Sequence, residues 1–297
     1  MNKLEYQKES DKFYNFGGAR YQLSLSNITN KIKSNNILIN SFVNTNYEDI
    51  LFNLFNDLKS NCGIDKIIWG IKNVNGNIEW ELYFYSNLLD IKKSKLIVDK
   101  HFDLPNLVER NWVAMWSFDI NDKKEKQINL YQINWIIDHG SSYSYNNNDY
   151  KYENDYFFWK DSLKNLNLIK NKILTSLSIN DTINIENILI PEFLEWYKND
   201  TVITDFVTKE SFSLKEYQAG WGIVTSKKQN CDSIYYMSLN IDMLILFLNK
   251  FNYPRKQIDF LEENKNKLSH LLYDVSINYK MENGKFKIVK SGYYGQI

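Results

Sequence analysis

At 297 residues, 43% of them hydrophobic and 15% aromatic, the chain has the material for a large core, which excludes a disordered polypeptide. Its 36 basic and 36 acidic residues cancel, which argues against a nucleic-acid binder, a class that carries a basic excess. Cys62 and Cys231 make neither a disulfide framework nor a zinc spacing. No apolar run reaches the ~18 residues of a membrane span, so a soluble cytoplasmic monomer without a membrane partner is expected.

In chain order, residues 1–16 are a polar lead-in. Gly17-Gly18 release a strand from Ala19 to Leu25, and Ile37 to Val43 is its expected partner. Ile50, Leu51, Leu54, Phe55 and Leu58 recur at helical spacing over 47–61, with Asn46 placed to cap. Lys66 to Tyr85 is the clearest stretch. Two runs of β-branched and aromatic residues flank Asn75-Gly76, whose readiness for positive φ predicts a tight hairpin turn. In its second strand Trp80, Leu82 and Phe84 share one face, and Glu79, Glu81, Tyr83 and Tyr85 share the other.

A helical or irregular segment, 86–110, leads to a third hairpin, Trp112–Asn121 and Gln127–Trp135. The segment 138–155 is low-complexity and polar and reads as an exposed loop. Helical periodicity returns over 157–177, and Pro191 opens another helical run. A fourth hairpin spans Tyr217–Ser226 and Ser233–Asn240. Two helices follow on either side of Pro254, and a last hairpin, 275–281 and 285–295, turns at Asn283-Gly284.

Five hairpins joined by helices suggest one unit of roughly 50 residues used five times. Hairpins with one apolar and one polar face close best into a barrel, helices outside and polar faces lining the lumen. The expected fold class is therefore α/β: a single domain, 1–297, built as a closed antiparallel ten-stranded barrel of αββα repeats, with a polar lumen and surrounding helices.

This arrangement resembles the ABBA prenyltransferases, whose barrel has this length and strand order. The strand-end pairs Leu82-Tyr83, Leu130-Tyr131, Tyr235-Tyr236 and Tyr293-Tyr294 carry the likeness. The resemblance implies transfer of a prenyl group from a prenyl diphosphate to an aromatic small molecule or peptide side chain. In that chemistry tyrosines shield an allylic cation, and Tyr83, Tyr85, Tyr131 and Tyr236 are the candidates. Cations hold the departing diphosphate; Arg20, Lys72 and Lys280 stand on lumen-phase positions, with Lys287 beside them. A carboxylate takes the acceptor's proton, Glu81 first, then Asp119 and Glu79.

Where the family places a lysine two residues before the strand tyrosine, this chain has Glu81 and Asn129. No cofactor is required on this reading, although Mg²⁺ held through Glu79, Glu81 or Asp119 would make up for missing cations. Two other functions fit the same pattern: a non-catalytic barrel binding a hydrophobic or aromatic ligand, and a carboxylate-driven cyclase or hydrolase. His139 beside Ser141 lacks the surroundings of a catalytic triad. His101 and His270 read as ordinary surface or helix residues. Trp69, Trp80, Trp116 and Trp221 fall on the helix-facing phase.

Overall fold

The computed structural model describes residues 4–7, 14–16, 19–21, 30–61, 67–85, 100, 115–123, 126–134, 139–146, 149–159, 223–227, 232–283 and 285–296. The strands are β1 (Tyr14–Phe16), β2 (Ala19–Tyr21), β3 (Ile67–Val74), β4 (Asn77–Tyr85), β5 (Met115–Asn121) and β6 (Lys126–Asn134). They continue as β7 (His139–Asn146), β8 (Asp149–Trp159), β9 (Ile223–Lys227), β10 (Asp232–Leu239), β11 (Tyr273–Glu282) and β12 (Lys285–Gln296). The helices are α1 (Asn35–Phe42), α2 (Glu48–Asn61), α3 (Ile241–Lys250), α4 (Arg255–Glu263) and α5 (Lys265–Leu268).

Five adjacent antiparallel strands run in the order β11-β12-β3-β4-β5. Taken alone they form an open sheet. Backbone pairing continues from β5 through β6, β7, β8 and β9, and from β11 to β10, where β9 meets β10 and the ring of ten strands closes.

The β3–β4 hairpin turns where the sequence places it: Asn75 and Gly76 have φ of 52° and 94°, and the Asn73 side chain accepts the Gly76 N–H at 2.8 Å. Alternation then sorts the two faces. Ile67, Trp69, Ile71, Trp80, Leu82, Phe118, Ile120, Val275, Ile277 and Tyr293 are buried in one core with helix residues such as Phe42, Leu54, Leu58, Phe247 and Leu261. Each of these large side chains contributes about 1.5–3 kcal/mol by leaving water.

Polar tips on this face find partners across the layer. Trp80 Nε1 donates to Ser41 Oγ of α1 at 2.8 Å, and Tyr293 Oη donates to Gln257 Oε1 of α4 at 2.9 Å. Asn73 Nδ2 donates to the Phe251 carbonyl just past α3 at 2.9 Å. These bonds fix the sheet's angle against the helices, because a buried donor left unpaired costs about 1–3 kcal/mol.

Several expectations are corrected. The chain does not follow five αββα units. Ile37–Val43 is not a strand: Asn35–Phe42 is helix α1, and Ile37, Leu38 and Phe42 enter the core from it. Its β-branched residues read as strand, but burial along a helical stripe overrode that propensity. Ala19–Tyr21 pairs with Tyr14–Phe16 in a separate two-stranded sheet. The described residues of the polar stretch 138–155 are no loop; 139–146 form β7 and 149–155 belong to β8, which runs on to Trp159, where a helix was expected to be under way. Only four residues separate β6 from β7, too few for the full helix expected between those hairpins. The expected helices over 160–177 and after Pro191 lie outside the described residues.

Candidate functional site

The opposite face of the five-stranded sheet is polar, and register sets its rows. One row runs Tyr235, Ser276, Gly292, Lys72, Glu79 and Asn121. The next runs Asp274, Tyr294, Gly70, Glu81, Asp119 and Gln127. Gln296, Ile68, Tyr83 and Ser117 form a third.

Lys72 stands at the centre. Its ammonium contacts Glu81, lies 3.1 Å from Asp119 Oδ2 and 4.0 Å from Glu79 Oε2. The lysine is 5% exposed and Glu81 3%. Tyr83 Oη donates to Glu81 Oε2 at 2.5 Å, and Ser117 Oγ donates to Asp119 Oδ1 at 3.1 Å. Burial pulls the Lys72 pKa down and neighbouring Lys290 pushes the same way; Asp119 and Glu79 oppose them, leaving it at about 8. The cluster opens on the side of Asp119 and Glu79, whose side chains are 14% and 26% exposed.

Two glycines shape the floor beside it. A Cβ on Gly70 would stand 2.7 Å from Tyr294 Cδ1 and 3.1 Å from Glu81 Oε2. On Gly292 it would stand 2.8 Å from Tyr294 Oη. The Tyr294 ring therefore lies across the space that two missing side chains leave, with its hydroxyl 3.2 Å from Ser276 Oγ. Tyr83 meets that ring edge-on, centroids 6.1 Å apart.

Of the residues singled out from sequence, Lys72, Glu79, Glu81, Asp119 and Tyr83 come together here. Tyr85 and Tyr131 both pair with Met115, one step further along the same phase. Tyr236 pairs with Val275, a core residue, and its neighbour Tyr235 pairs with Ser276. Lys280 pairs with Lys287 near the β11–β12 turn, about 13 Å along the strand from Ser276, and Lys287 is engaged by Glu282 at 2.9 Å. Arg20 is on β2, outside this sheet.

Gly70, Gly292, Ser276, Ser117 and Lys290 escaped the sequence reading, which named Tyr294 only as half of a strand-end pair. Gly70 and Ser117 stand two residues before Lys72 and Asp119, and Gly292 stands opposite Lys72; Ser276 and Lys290 had no such signal. His270 is no surface residue: it is 2% exposed, and burial lowers its pKa to about 4. Among the described residues no group of His, Cys, Asp and Glu is arranged to hold a metal ion, and no helix is long and apolar enough to cross a membrane.

This geometry departs from a diphosphate cage. Three carboxylates converge on Lys72 and outnumber it and its neighbour Lys290, the reverse of the cation excess that a departing diphosphate requires.

No family model matches the chain. It is similar to a putative JmjC domain-containing protein, L887, of Acanthamoeba polyphaga mimivirus, with 24% identity over 301 aligned positions. The match covers 89% of this chain and 47% of the relative, so the chain spans about half of that protein's length. This likeness, with the inverted charge of the site, overturns the resemblance to ABBA prenyltransferases. Prenyl transfer, the diphosphate donor and the aromatic or peptide acceptor fall with it.

Proposed function

We propose that the chain is the substrate-binding part of an enzyme related to JmjC domain-containing proteins, and that its polar sheet face receives the cationic end of a substrate. The likeness to the viral protein supports the enzyme class. The charge of the face supports the substrate class: Glu79, Glu81 and Asp119 surround Lys72, so the cluster carries a surplus of negative charge in a largely dry place. An ammonium or guanidinium entering beside Asp119 and Glu79 relieves that surplus; an anion adds to it.

A JmjC-type oxygenase implies iron held by two histidines and a carboxylate. The described residues do not fit that set. The polar face offers carboxylates without a described histidine. His270 lies just after α5 and close to Lys31 and Lys267. The acid co-substrate of such an enzyme fares no better, because the buried lysine already faces three carboxylates. The residues present are suited to binding, orienting and moving protons between Tyr83, Glu81, Lys72 and Asp119.

Thermal stabilisation of the purified chain tests this reading, with methylamine, agmatine and spermidine set against acetate, diphosphate and 2-oxoglutarate. The amines should stabilise, by about 2.7 kcal/mol at a hundredfold excess over Kd, and Asp119→Asn should weaken the effect. Stabilisation by diphosphate or 2-oxoglutarate with none by the amines would overturn it.

A further inference from the structure

We propose that Lys72 is a carbonyl-reactive amine, whose Nζ forms an imine with a small aldehyde or ketone carrying a positive charge. The inference rests on the polar face being the substrate site and adds the substrate's reacting group.

Three observations support it. Lysine is rarely buried to this degree, and a purely structural ion pair asks for one carboxylate, whereas Lys72 has three around it. The space next to its stem is bounded by Gly70, two residues before it, and by Gly292, directly opposite. The Tyr294 ring fills most of that space, with Glu81 Oε2 and Ser276 Oγ at its margins, and a ring can turn aside as backbone cannot. Finally, proton carriers stand on both sides of the nitrogen: Asp119, backed by Ser117, and Glu81, which accepts the Tyr83 hydroxyl.

The steps balance without any redox partner. Nζ–H₃⁺ gives a proton to Asp119 and becomes a nucleophile. Its lone pair attacks the carbonyl carbon while the C=O π pair moves to oxygen, which takes the proton back from Asp119. The carbinolamine then loses its hydroxyl as water, using the second nitrogen proton, and the nitrogen lone pair forms the C=N bond. One carbonyl compound and one amine give one imine and one water. The lowered Lys72 pKa supports this, since part of the amine is free base near neutrality. The negative surroundings select cationic carbonyl compounds over anionic ones, and they stabilise the protonated imine.

The test is reductive trapping on the full chain. Betaine aldehyde, propanal and glyoxylate are each added with cyanoborohydride, and modified lysines are mapped by peptide mass spectrometry. Betaine aldehyde should label Lys72 at least tenfold above any exposed lysine, such as Lys256 or Lys287, with propanal weaker and glyoxylate weakest. Labelling should rise with pH to a midpoint of about 8. Lys72→Arg keeps a cation in place and should lose the label.

Labelling confined to exposed lysines in the folded wild-type chain overturns the inference. If amines stabilise the chain but Lys72 stays unlabelled, only the imine falls. If amines do not stabilise it either, the reading of the face falls too.

Discussion

Replacing Lys72 with Met keeps the stem and removes the charge. Glu81 is 3% exposed and would lose the ammonium in contact with it, while Asp119 would lose its partner at 3.1 Å. Breaking a buried pair by removing one partner costs about 3–5 kcal/mol, because the other charge stays behind in a poor solvent. The Lys72→Met/Glu81→Gln double variant should recover much of that, with a coupling of about 2–3 kcal/mol.

The pH dependence has a definite sign. The folded pKa of about 8 lies below the ordinary lysine value of 10.5. Between the two the unfolded chain binds more protons, so wild-type stability rises as pH climbs through that window, by up to about 3 kcal/mol. Lys72→Met lacks this rise. Urea unfolding followed by tryptophan fluorescence at pH 7, 8.5 and 10 measures both effects. A loss below about 1 kcal/mol in the variant, with a pH profile parallel to wild type, would refute the burial argument.

Three other changes read different parts of the face. Gly70→Ala forces the Tyr294 ring aside and should cost about 1–3 kcal/mol; adding Tyr294→Ala should cancel part of that cost in a double-mutant cycle, and strict additivity would show the ring is not in the way. Tyr83→Phe removes the donor to Glu81 and should cost about 1.5–3 kcal/mol by urea unfolding, with no change expected if that hydroxyl faces water instead. His270 has a folded pKa of about 4 against an ordinary 6.5, so stability should fall as pH drops through that interval. The drop should be about 1–2 kcal/mol after allowing for solvent screening, and His270→Leu should lack it. Equal slopes in wild type and variant between pH 7 and 4.5 would contradict that assignment.

The core of the site was legible because β4 alternates without interruption. Glu79, Glu81 and Tyr83 fall on one face by counting alone, and the Asn75-Gly76 turn fixes which residues of β3 oppose them. Lys72 follows at once. Asp119 follows from the next strand, since Phe118 and Ile120 must face the core. Counting failed where register is broken. Along β12, Ile288, Lys290, Gly292 and Tyr294 alternate as if on one face, yet the ladder shifts between Asn278 and Tyr279. That irregularity turns Ile288 to the core and leaves Lys290 beside Lys72. A bulge leaves no mark in a period-two pattern. In the Tyr235-Tyr236 pair counting alone cannot separate the two, because both suit a strand and only pairing with Ser276 and Val275 distinguishes them. Strands β7 and β8 were missed for another reason: they are built from Ser, Asn, Asp and Tyr with little apolar alternation, so composition pointed to a loop.

What separates the rejected function from the proposed one is the sign of a few charges, and the fold bears on this less than the site does. The same sheet face with lysines at positions 81 and 119 would suit a diphosphate. With Glu81 and Asp119 there, the one central lysine is neutralised before any ligand arrives. Charge reversal makes the point testable. Glu81→Lys would place two ammonium groups side by side on the polar face, opposite Gly70 and one row from Lys72. If the wild-type face selects cations by its negative surplus, Asp119→Asn should weaken amine binding and Glu81→Lys should abolish it. Amine stabilisation should also decline steadily with added salt, because screening acts on the part of the cluster that reaches water through Glu79. Amine binding that ignores both salt and Asp119→Asn would mean that the carboxylates only hold Lys72 in place and that the ligand is recognised elsewhere.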